Sequence, residues 1–258
     1  MENKKNTQFI NFEGKIIPKP EGIDYKLKRG QVYTLNQNRD YDMYLEEDKP
    51  FEFPEKYYLS SADNKFMNKV VSMYKTTKKM TLGTLLSGMK GSGKTLMAKK
   101  IAVMSGLPVI VINTNVHSDD IEGFFAKIHD DVCVIMDEID KYWNTRYLLG
   151  FMDGVKPTCK KLLICTCNNE KEIDEYLNDR CSRIRYKKKF DCLTKDAVLG
   201  ILTDTLKDAE KAKSATEFIY NHINIISYDN VITFGEEIIN SPEESYESIL
   251  ADMNIGKR

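Results

Sequence analysis

The chain has 258 residues, of which 41% are hydrophobic and 30% are charged, and its 38 basic and 39 acidic residues leave a formal net charge of −1. This balance is typical of a folded globular protein with a sizeable core, excludes a disordered chain, and gives no reason to expect nucleic acid as an obligate partner. The longest apolar runs have the length of strands, and the first residues lack the apolar stretch of a signal peptide. We therefore expect a cytoplasmic protein without a membrane partner.

The cysteines predict buried free thiols rather than a metal or disulfide framework. Six of them lie at positions 133, 159, 165, 167, 181 and 192, with no CxxC pair and several inside apolar strand patterns. Such positions suit small hydrophobic residues in the core of a protein from a reducing cytosol.

Residues 1–60 form an N-terminal segment of distinct composition. Four of the seven prolines lie here, with many tyrosines and short alternating stretches such as Gln31–Leu35. Short strands and turns are expected from this pattern. We predict a β-rich segment wrapped on a larger body, and a candidate partner-binding role for it.

Residues 61–190 alternate between strands and helices. An amphipathic helix is predicted from Asn64 to about Lys78, followed by four apolar strands with helices between them, at 81–87, 108–113, 132–136 and 161–165, and by a fifth strand at 183–190. Near-continuous apolar strands separated by helices indicate a parallel sheet covered on both faces. We predict an α/β core with a five-stranded parallel sheet.

Residues 191–258 are predicted to form a small helical domain. Its four helices are expected at Thr194–Leu206, Ala209–Asn221, Ser227–Ile239 and Ser241–Met253. The last begins with Ser-Pro-Glu-Glu, a serine N-cap followed by proline at the first helical position.

A complete phosphate-loop motif follows the first core strand. Gly88–Thr95 matches GxxxxGK[ST], with a strand before it and a predicted helix after it. The glycines let successive N–H groups face a phosphate, Lys94 would reach the β- and γ-phosphates of ATP, and the Thr95 hydroxyl would coordinate Mg²⁺. The residues expected to bind the nucleotide are Gly88, Met89, Lys90, Gly91, Ser92, Gly93, Lys94, Thr95 and Leu96.

Two carboxylates end the apolar strand 132–136. Asp137 and Glu138 would therefore lie at the carboxyl edge of the sheet, where ligands of open α/β sheets bind. We expect Asp137 to hold the magnesium ion through its water shell and Glu138 to act as the general base that polarises the attacking water.

In four stretches the chain resembles the AAA+ ATPases, and within them the conventional AAA branch. They follow one another in the family's order: the strand end Asp137–Asp140, the helix Leu148–Val155, the strand Leu162–Asn169 and the run Ile173–Arg183. The resemblance implies a P-loop NTPase fold with the helical domain as its lid, and an ATPase that works as a homo-oligomeric, hexamer-like ring.

Further roles are implied by this resemblance. Asn168 would be the first sensor, which positions the water beside Glu138. Arg180 and Arg183 would point out of the subunit as arginine fingers for the neighbour's ATP; they are joined by Cys181-Ser182 where the family has Pro-Gly, so which of them is the finger stays open. Asn113, at the end of the second strand, would either restrain the catalytic glutamate or form a turn.

Two aromatic features also have alternative interpretations. Tyr57 and Tyr58 precede the ATPase zone, where the family builds its adenine pocket, so they would either stack on adenine or pack the N-terminal segment down. The segment Thr114–Ile121 lacks the aromatic residue that threading unfoldases use to grip a polypeptide, and the helical spacing of Phe124 and Phe125 favours core positions.

Three hypotheses remain for the work that ATP hydrolysis would drive. The leading one is the remodelling or disassembly of a protein complex, as the resemblance implies. The second is a nucleic-acid-associated role of the loader kind, to which the basic run Arg180–Lys189 would contribute, although that run also suits an edge strand guarded by lysines. The third is a module whose assembly ATP switches.

Overall fold

The structure is a computed structural model that describes residues 9–12, 14–18, 26–39, 42–54, 58, 60–117, 121–143, 150–152, 158–173 and 183–255. It divides into two compact units. Unit 1 comprises Met1–Phe53, Ser61–Ser87 and Thr95–Lys189, and unit 2 comprises Pro54–Ser60, Gly88–Lys94 and Phe190–Arg258.

The described strands form one sheet of nine, in the order β1-β2-β4-β3-β6-β7-β8-β5-β9. Their bounds are β1 Phe9–Phe12, β2 Lys15–Pro18, β3 Val32–Gln37, β4 Met43–Asp48, β5 Thr81–Gly88, β6 Val109–Ile112, β7 Val132–Met136, β8 Lys161–Cys167 and β9 Ile184–Phe190.

The five predicted core strands are confirmed as β5 to β9, and β6, β7, β8 and β5 run parallel as neighbours. Every residue of β7 and β8 is buried, which explains why both strands are apolar without alternation. Met136 pairs with Cys165, and Ser87 pairs with Cys167. The carboxyl ends of these strands therefore meet at one edge of the sheet.

The N-terminal strands extend this same sheet. β3 runs parallel to β6, while β4, β2 and β1 continue outward as antiparallel neighbours. Tyr33, Leu35 and Leu45 are completely buried in the core that also contains side chains of β5 to β9. The predicted short strands exist, and they lengthen the core sheet from the five predicted strands to the nine described.

Helices α1 Ser61–Thr76, α2 Lys94–Ser105, α3 Ile121–Phe125 and α4 Ile139–Tyr142 connect or cover the core strands. α1 buries Met67, Val70, Val71 and Tyr74, which lie on one face of the helix. Phe124 and Phe125 are buried core residues, as their spacing favoured. The helix predicted at 145–151 lies mostly outside the described residues.

Unit 2 contains the helices α5 Lys195–Leu206, α6 Ala209–His222, α7 Tyr228–Asn240 and α8 Tyr246–Asp252. The N-caps of α5 and α7 are Thr194 and Ser227, whose side-chain oxygens accept from Ala197 N and Asn230 N. The apolar faces of all four helices share one buried cluster, which includes Ile201, Ile219 and Phe234. A helical C-terminal domain is therefore confirmed.

The predicted start of the last helix is wrong. Residues 242–244 form a turn, and α8 begins after Ser245, whose hydroxyl accepts from Ser248 N. Ser245 therefore supplies the cap that the sequence assigned to Ser241, because Ser241 instead closes α7, with its N–H donating to Glu237 O.

The predicted burial of the thiols is confirmed at four positions. Cys133, Cys159, Cys165 and Cys167 are buried, whereas Cys192 is exposed; Cys181 lies outside the described residues. Burial raises the pKa of the Cys159 thiol to about 11, which keeps it protonated and unreactive near neutral pH. Across the described part of the chain, no helix combines the length and the apolar character that a membrane span needs.

Candidate functional site

In the loop Gly88–Lys94 the glycines take backbone conformations that other residues rarely adopt. Gly88, Gly91 and Gly93 have φ angles of 132°, 69° and 92°, a region that side chains disfavour and glycine adopts readily. Gly88 also lies so close to the main chain of Phe190 that a Cβ on Gly88 would be 2.1 Å from Phe190 O. Any other residue at this position would displace the loop.

Lys94 lies inside this loop with only 6% of its surface exposed. Its Nζ donates to Gly88 O at 2.7 Å and to Met89 O at 2.6 Å. The hydroxyl of Ser92 donates to the same Met89 oxygen at 2.6 Å. The ammonium group is thus hydrogen bonded to neutral carbonyl oxygens of the loop. A charged phosphate oxygen is a stronger acceptor and could replace them.

The start of α7 is attached to the loop, a contact that the sequence did not predict. Tyr228 N donates to Gly91 O at 3.0 Å. A Cβ on Gly91 would lie 2.5 Å from Asp229 Oδ2, an atom at the end of a side chain that can move, so it is the φ angle of 69° that favours glycine here. The helix pattern of 227–239 gave no signal of which loop its first turn would meet.

Unit 1 brings together the two predicted magnesium ligands. Thr95 Oγ1 donates to Asp137 Oδ1 at 3.2 Å and to Oδ2 at 3.3 Å. Thr166 Oγ1, from β8, also donates to Asp137 Oδ1. One carboxylate beside one hydroxyl fits Mg²⁺, which prefers oxygen ligands and takes few of them from protein, leaving the rest to phosphates and water.

Glu138 is held in a strained position beside Asn168. Its φ and ψ are 47° and 53°, the left-handed region that residues other than glycine rarely enter. Asn168 Nδ2 donates to Glu138 Oε1 at 2.8 Å, and Lys141 Nζ lies 2.7 Å from the same oxygen. The Glu138 N–H donates to Thr166 Oγ1 at 2.9 Å. The structure therefore pairs the predicted base with the predicted sensor.

Thr166 and Lys141 were not assigned roles from the sequence. Thr166 joins Asp137 to the backbone of Glu138 because it lies on the neighbouring parallel strand, close to the residue that pairs with Met136. Its position two residues before Asn168 on an apolar strand was the available signal. Lys141 follows Glu138 by three residues, a spacing that places two side chains on the same face of a helix.

Of the two predicted arginine fingers, Arg183 lies within the described residues. Arg180 lies outside the described residues. Arg183 is only 7% exposed, whereas a finger needs a guanidinium at the subunit surface, so the expectation that Arg183 points outward does not fit its burial. The reason is local: Arg183 immediately precedes β9, the neighbour of β5, and a Cβ on Gly83 of β5 would lie 2.1 Å from Arg183 O.

The side chain of Asn113 hydrogen bonds to the N-terminal strand β3. Its Nδ2 donates to Asn36 Oδ1 at 2.9 Å, and its carbonyl oxygen accepts from Val116 N at 3.2 Å. These contacts agree with the turn interpretation rather than with a restraint on the glutamate.

Tyr58 packs within unit 2. Its hydroxyl donates to Asp204 Oδ2 at 2.7 Å, and its ring lies 6.1 Å from that of Tyr228. Burial, followed by the hydrogen bond to Asp204, raises its pKa. These contacts support packing of Tyr58; Tyr57 lies outside the described residues.

Comparisons with known proteins agree with this arrangement. The family model described as "ATPase family associated with various cellular activities (AAA)" matches residues 84–189. A search of curated protein sequences finds no significant match. Among solved structures, one described as "Structural Basis for Katanin Self-Assembly" is similar in fold, with a TM-score of 0.54, 15% identity, and coverage of 74% of this chain and 72% of that chain. Residues 84–189 of this chain therefore resemble an AAA domain of the AAA+ ATPase kind.

Proposed function

We propose that the protein hydrolyses ATP with Mg²⁺. The observation that carries the proposal is the pairing of Thr95 with Asp137 and of Glu138 with Asn168. These residues follow β5, β7 and β8, whose carboxyl ends lie at one edge of the sheet. A complete phosphate loop continues from β5, so the residue types needed for phosphoryl transfer all follow that edge.

The phosphates of ATP would be bound by the N–H groups of Gly88–Lys94. Lys94 would exchange the carbonyl oxygens of Gly88 and Met89 for β- and γ-phosphate oxygens, so its charge is already in place before ATP arrives. Thr95 and Asp137 would hold the magnesium ion, which supplies positive charge to the phosphate oxygens.

Glu138 would orient a water molecule for in-line attack on the γ-phosphorus. The bond between that phosphorus and the β,γ-bridging oxygen breaks as the water oxygen bonds to phosphorus, ADP leaves, and the water proton passes to the carboxylate. Asn168 fixes Oε1 of that carboxylate through a hydrogen bond of 2.8 Å. A fixed carboxylate helps because the rate of an oriented attack depends steeply on alignment.

The active form would be a ring of copies of this chain, with each site completed by its neighbour. Arg180 is our candidate for the finger, since Arg183 is buried. An arginine supplied to a γ-phosphate contributes on the order of 10³–10⁵ in rate in other NTPases. The similarity in fold to a structure concerned with katanin self-assembly supports looking for such an assembly.

The work done by hydrolysis would be the remodelling of a protein complex. The alternative, a nucleic-acid-associated ATPase, is favoured by one observation. On β9 the basic side chains of Arg185, Lys187 and Lys189 are exposed, while Lys188 on the other face pairs with Asp63 at 2.6 Å. ATPase stimulation by DNA that disappears as salt is raised would favour the alternative, and stimulation by a protein captured on Glu138→Gln would favour remodelling.

The test of hydrolysis compares Lys94→Ala with Glu138→Gln. We expect Lys94→Ala to lose ATP binding, because the loop loses the charge that meets the phosphates. Glu138→Gln should bind ATP normally and lose turnover, because the amide keeps the shape and removes the base. Both are measured by fluorescent ATP binding and by phosphate release with and without Mg²⁺. Wild-type affinity in the first variant or wild-type turnover in the second would contradict the proposal.

A further inference from the structure

Asp140 is an acidic residue to which the proposed hydrolysis gives no role, although it lies two residues after Glu138 in the first turn of α4. Its Oδ2 accepts two main-chain hydrogen bonds, from Asn168 N at 3.0 Å and from Asn169 N at 2.9 Å. Hydrogen bonds to an ionised acceptor are roughly twice as strong as those between neutral groups. The carboxylate therefore fixes two consecutive peptide groups.

Those peptide groups lie where the regular structure changes. β8 ends at Cys167, and the 3₁₀ turn Glu170–Glu172 begins after Asn169. Asn168 and Asn169 thus lie between the strand and the turn, and Asp140 supplies the acceptor for both of their N–H groups. A displacement of this main chain would carry the Asn168 side chain with it.

The contacts form a closed circuit around the proposed base. Asp140 binds the main chain of Asn168, the Asn168 side chain donates to Glu138 Oε1 at 2.8 Å, and Glu138 is joined to Asp140 through a single residue. The other oxygen of Asp140, Oδ1, is buried and has no hydrogen-bond partner among the residues that the structure describes. A buried acceptor left unsatisfied is a cost that packing alone does not explain.

We infer that Asp140 is a positioning residue, which sets the place of Asn168 and, through it, that of the Glu138 carboxylate. This inference rests on the proposed hydrolysis of ATP by Glu138. In this role Asp140 acts through its hydrogen bonds to Asn168 N and Asn169 N and not as a ligand of nucleotide or magnesium. It therefore needs an oxygen directed at the two N–H groups, and it does not need its charge as a metal ligand would.

The kinetic test separates hydrogen bonding from charge. Asp140→Ala should lower kcat about 10- to 100-fold, since misplacing a catalytic group by about 1 Å costs up to that factor, while KM for ATP stays near the wild-type value. Asp140→Asn keeps a carbonyl oxygen for the two N–H groups and should retain most of kcat. Asp48→Ala is the matched control: it removes an exposed aspartate of β4 that also accepts a main-chain hydrogen bond, from Lys49 N at 2.8 Å, and should keep wild-type kcat.

A double variant tests whether Asp140 acts through Asn168. Asp140→Ala combined with Asn168→Ala should be no slower than Asn168→Ala alone, because residues that act as one unit are not additive. Losses that multiply would overturn the inference, as would a wild-type kcat in Asp140→Ala or an inactive Asp140→Asn.

Amide hydrogen exchange gives a readout independent of turnover. The amide protons of Asn168 and Asn169 should lose protection in Asp140→Ala and keep it in Asp140→Asn. Unchanged protection in Asp140→Ala would overturn the inference. A wild-type protein that hydrolyses no ATP would instead overturn the proposed function. In that case the exchange result would still show whether Asp140 holds the main chain of Asn168 and Asn169.

Discussion

Among single residues, Glu138 shows most clearly how the site is prepared. Its left-handed backbone conformation costs of order 1–3 kcal/mol and persists only where the surroundings impose it. The surroundings here are the Thr166 hydroxyl on its N–H and the Asn168 amide and Lys141 ammonium on its Oε1. Thr166 of β8, Asn168 just after β8 and Lys141 of α4 thus hold the backbone and the side chain of the proposed base, so the carboxylate needs little reorganisation before attack.

The two candidate fingers should separate cleanly on substitution. Arg183→Ala should lower the free energy of unfolding by about 1–3 kcal/mol, because it removes a buried polar side chain. Arg180→Ala should leave the melting temperature unchanged and reduce turnover at least about tenfold, with ATP binding near normal. Thermal melts, ATP binding and ATPase rates distinguish the two. A stable Arg183→Ala protein with specific loss of turnover would restore Arg183 as the finger.

Among the elements, β3 joins the N-terminal segment to the core. Besides pairing with β6, it binds the loop that follows β6: Asn113 Nδ2 donates to Asn36 Oδ1 at 2.9 Å, and His117 N donates to Gln37 Oε1 at 2.8 Å. Asn36 and Gln37 are both buried. The N-terminal strands therefore hold the loop that follows β6 in place, in addition to any role that they have in recruiting a partner.

Substitution of Leu35 tests this integration. Leu35→Ala in β3 should destabilise the whole of unit 1 by about 2–5 kcal/mol, because the side chain is fully buried in the shared core. Lys28→Ala is the control: it breaks an exposed pair with Glu47, and such pairs are worth at most about 1 kcal/mol. Denaturant unfolding followed by circular dichroism measures both. A Leu35→Ala protein with the same unfolding midpoint as Lys28→Ala would contradict this integration.

For the whole molecule, the proposed ring implies that turnover depends on association. Arg180 in one copy would act on ATP held by Lys94 of the next copy. An exposed guanidinium alone in water gains only weak Coulomb energy, whereas the same charge docked on a γ-phosphate away from water stabilises the transition state. The ATPase rate should therefore rise faster than linearly with protein concentration.

Mixing two inactive variants tests the same idea directly. Arg180→Ala and Lys94→Ala should each be slow, and their mixture should recover part of the wild-type rate, because some interfaces then pair an intact loop with an intact finger. Mixing Lys94→Ala with Glu138→Gln is the control, since no subunit then holds both an intact loop and an intact base. A rate proportional to concentration, with no recovery on mixing, would indicate a monomeric site.

Much of the core and of the site could be predicted because each signal lies within one stretch of chain. The glycines of the loop, Lys94 and Thr95 lie in one short stretch after a strand, so their arrangement does not depend on the rest of the fold. Asp137 and Glu138 were identifiable because they come at the end of an apolar strand, and parallel strands bring their carboxyl ends to one edge. The role of Asn168 was implied by the resemblance to the AAA+ ATPases. Core helices and strands followed from hydrophobic spacing in the same way.

Contacts between residues distant in sequence were decided only by the tertiary structure. No hydrophobic periodicity in the sequence predicts that β3 pairs with β6, that Arg183 is buried beside β5, or that α7 contacts Gly91. Each of these contacts depends on which surfaces the folded chain brings together. The same holds for Asp140, whose motif was visible but whose two acceptor contacts require β8 to end beside α4. The sequence thus determined the fold class and the chemistry of the site, while packing decided which residues hold that chemistry in place.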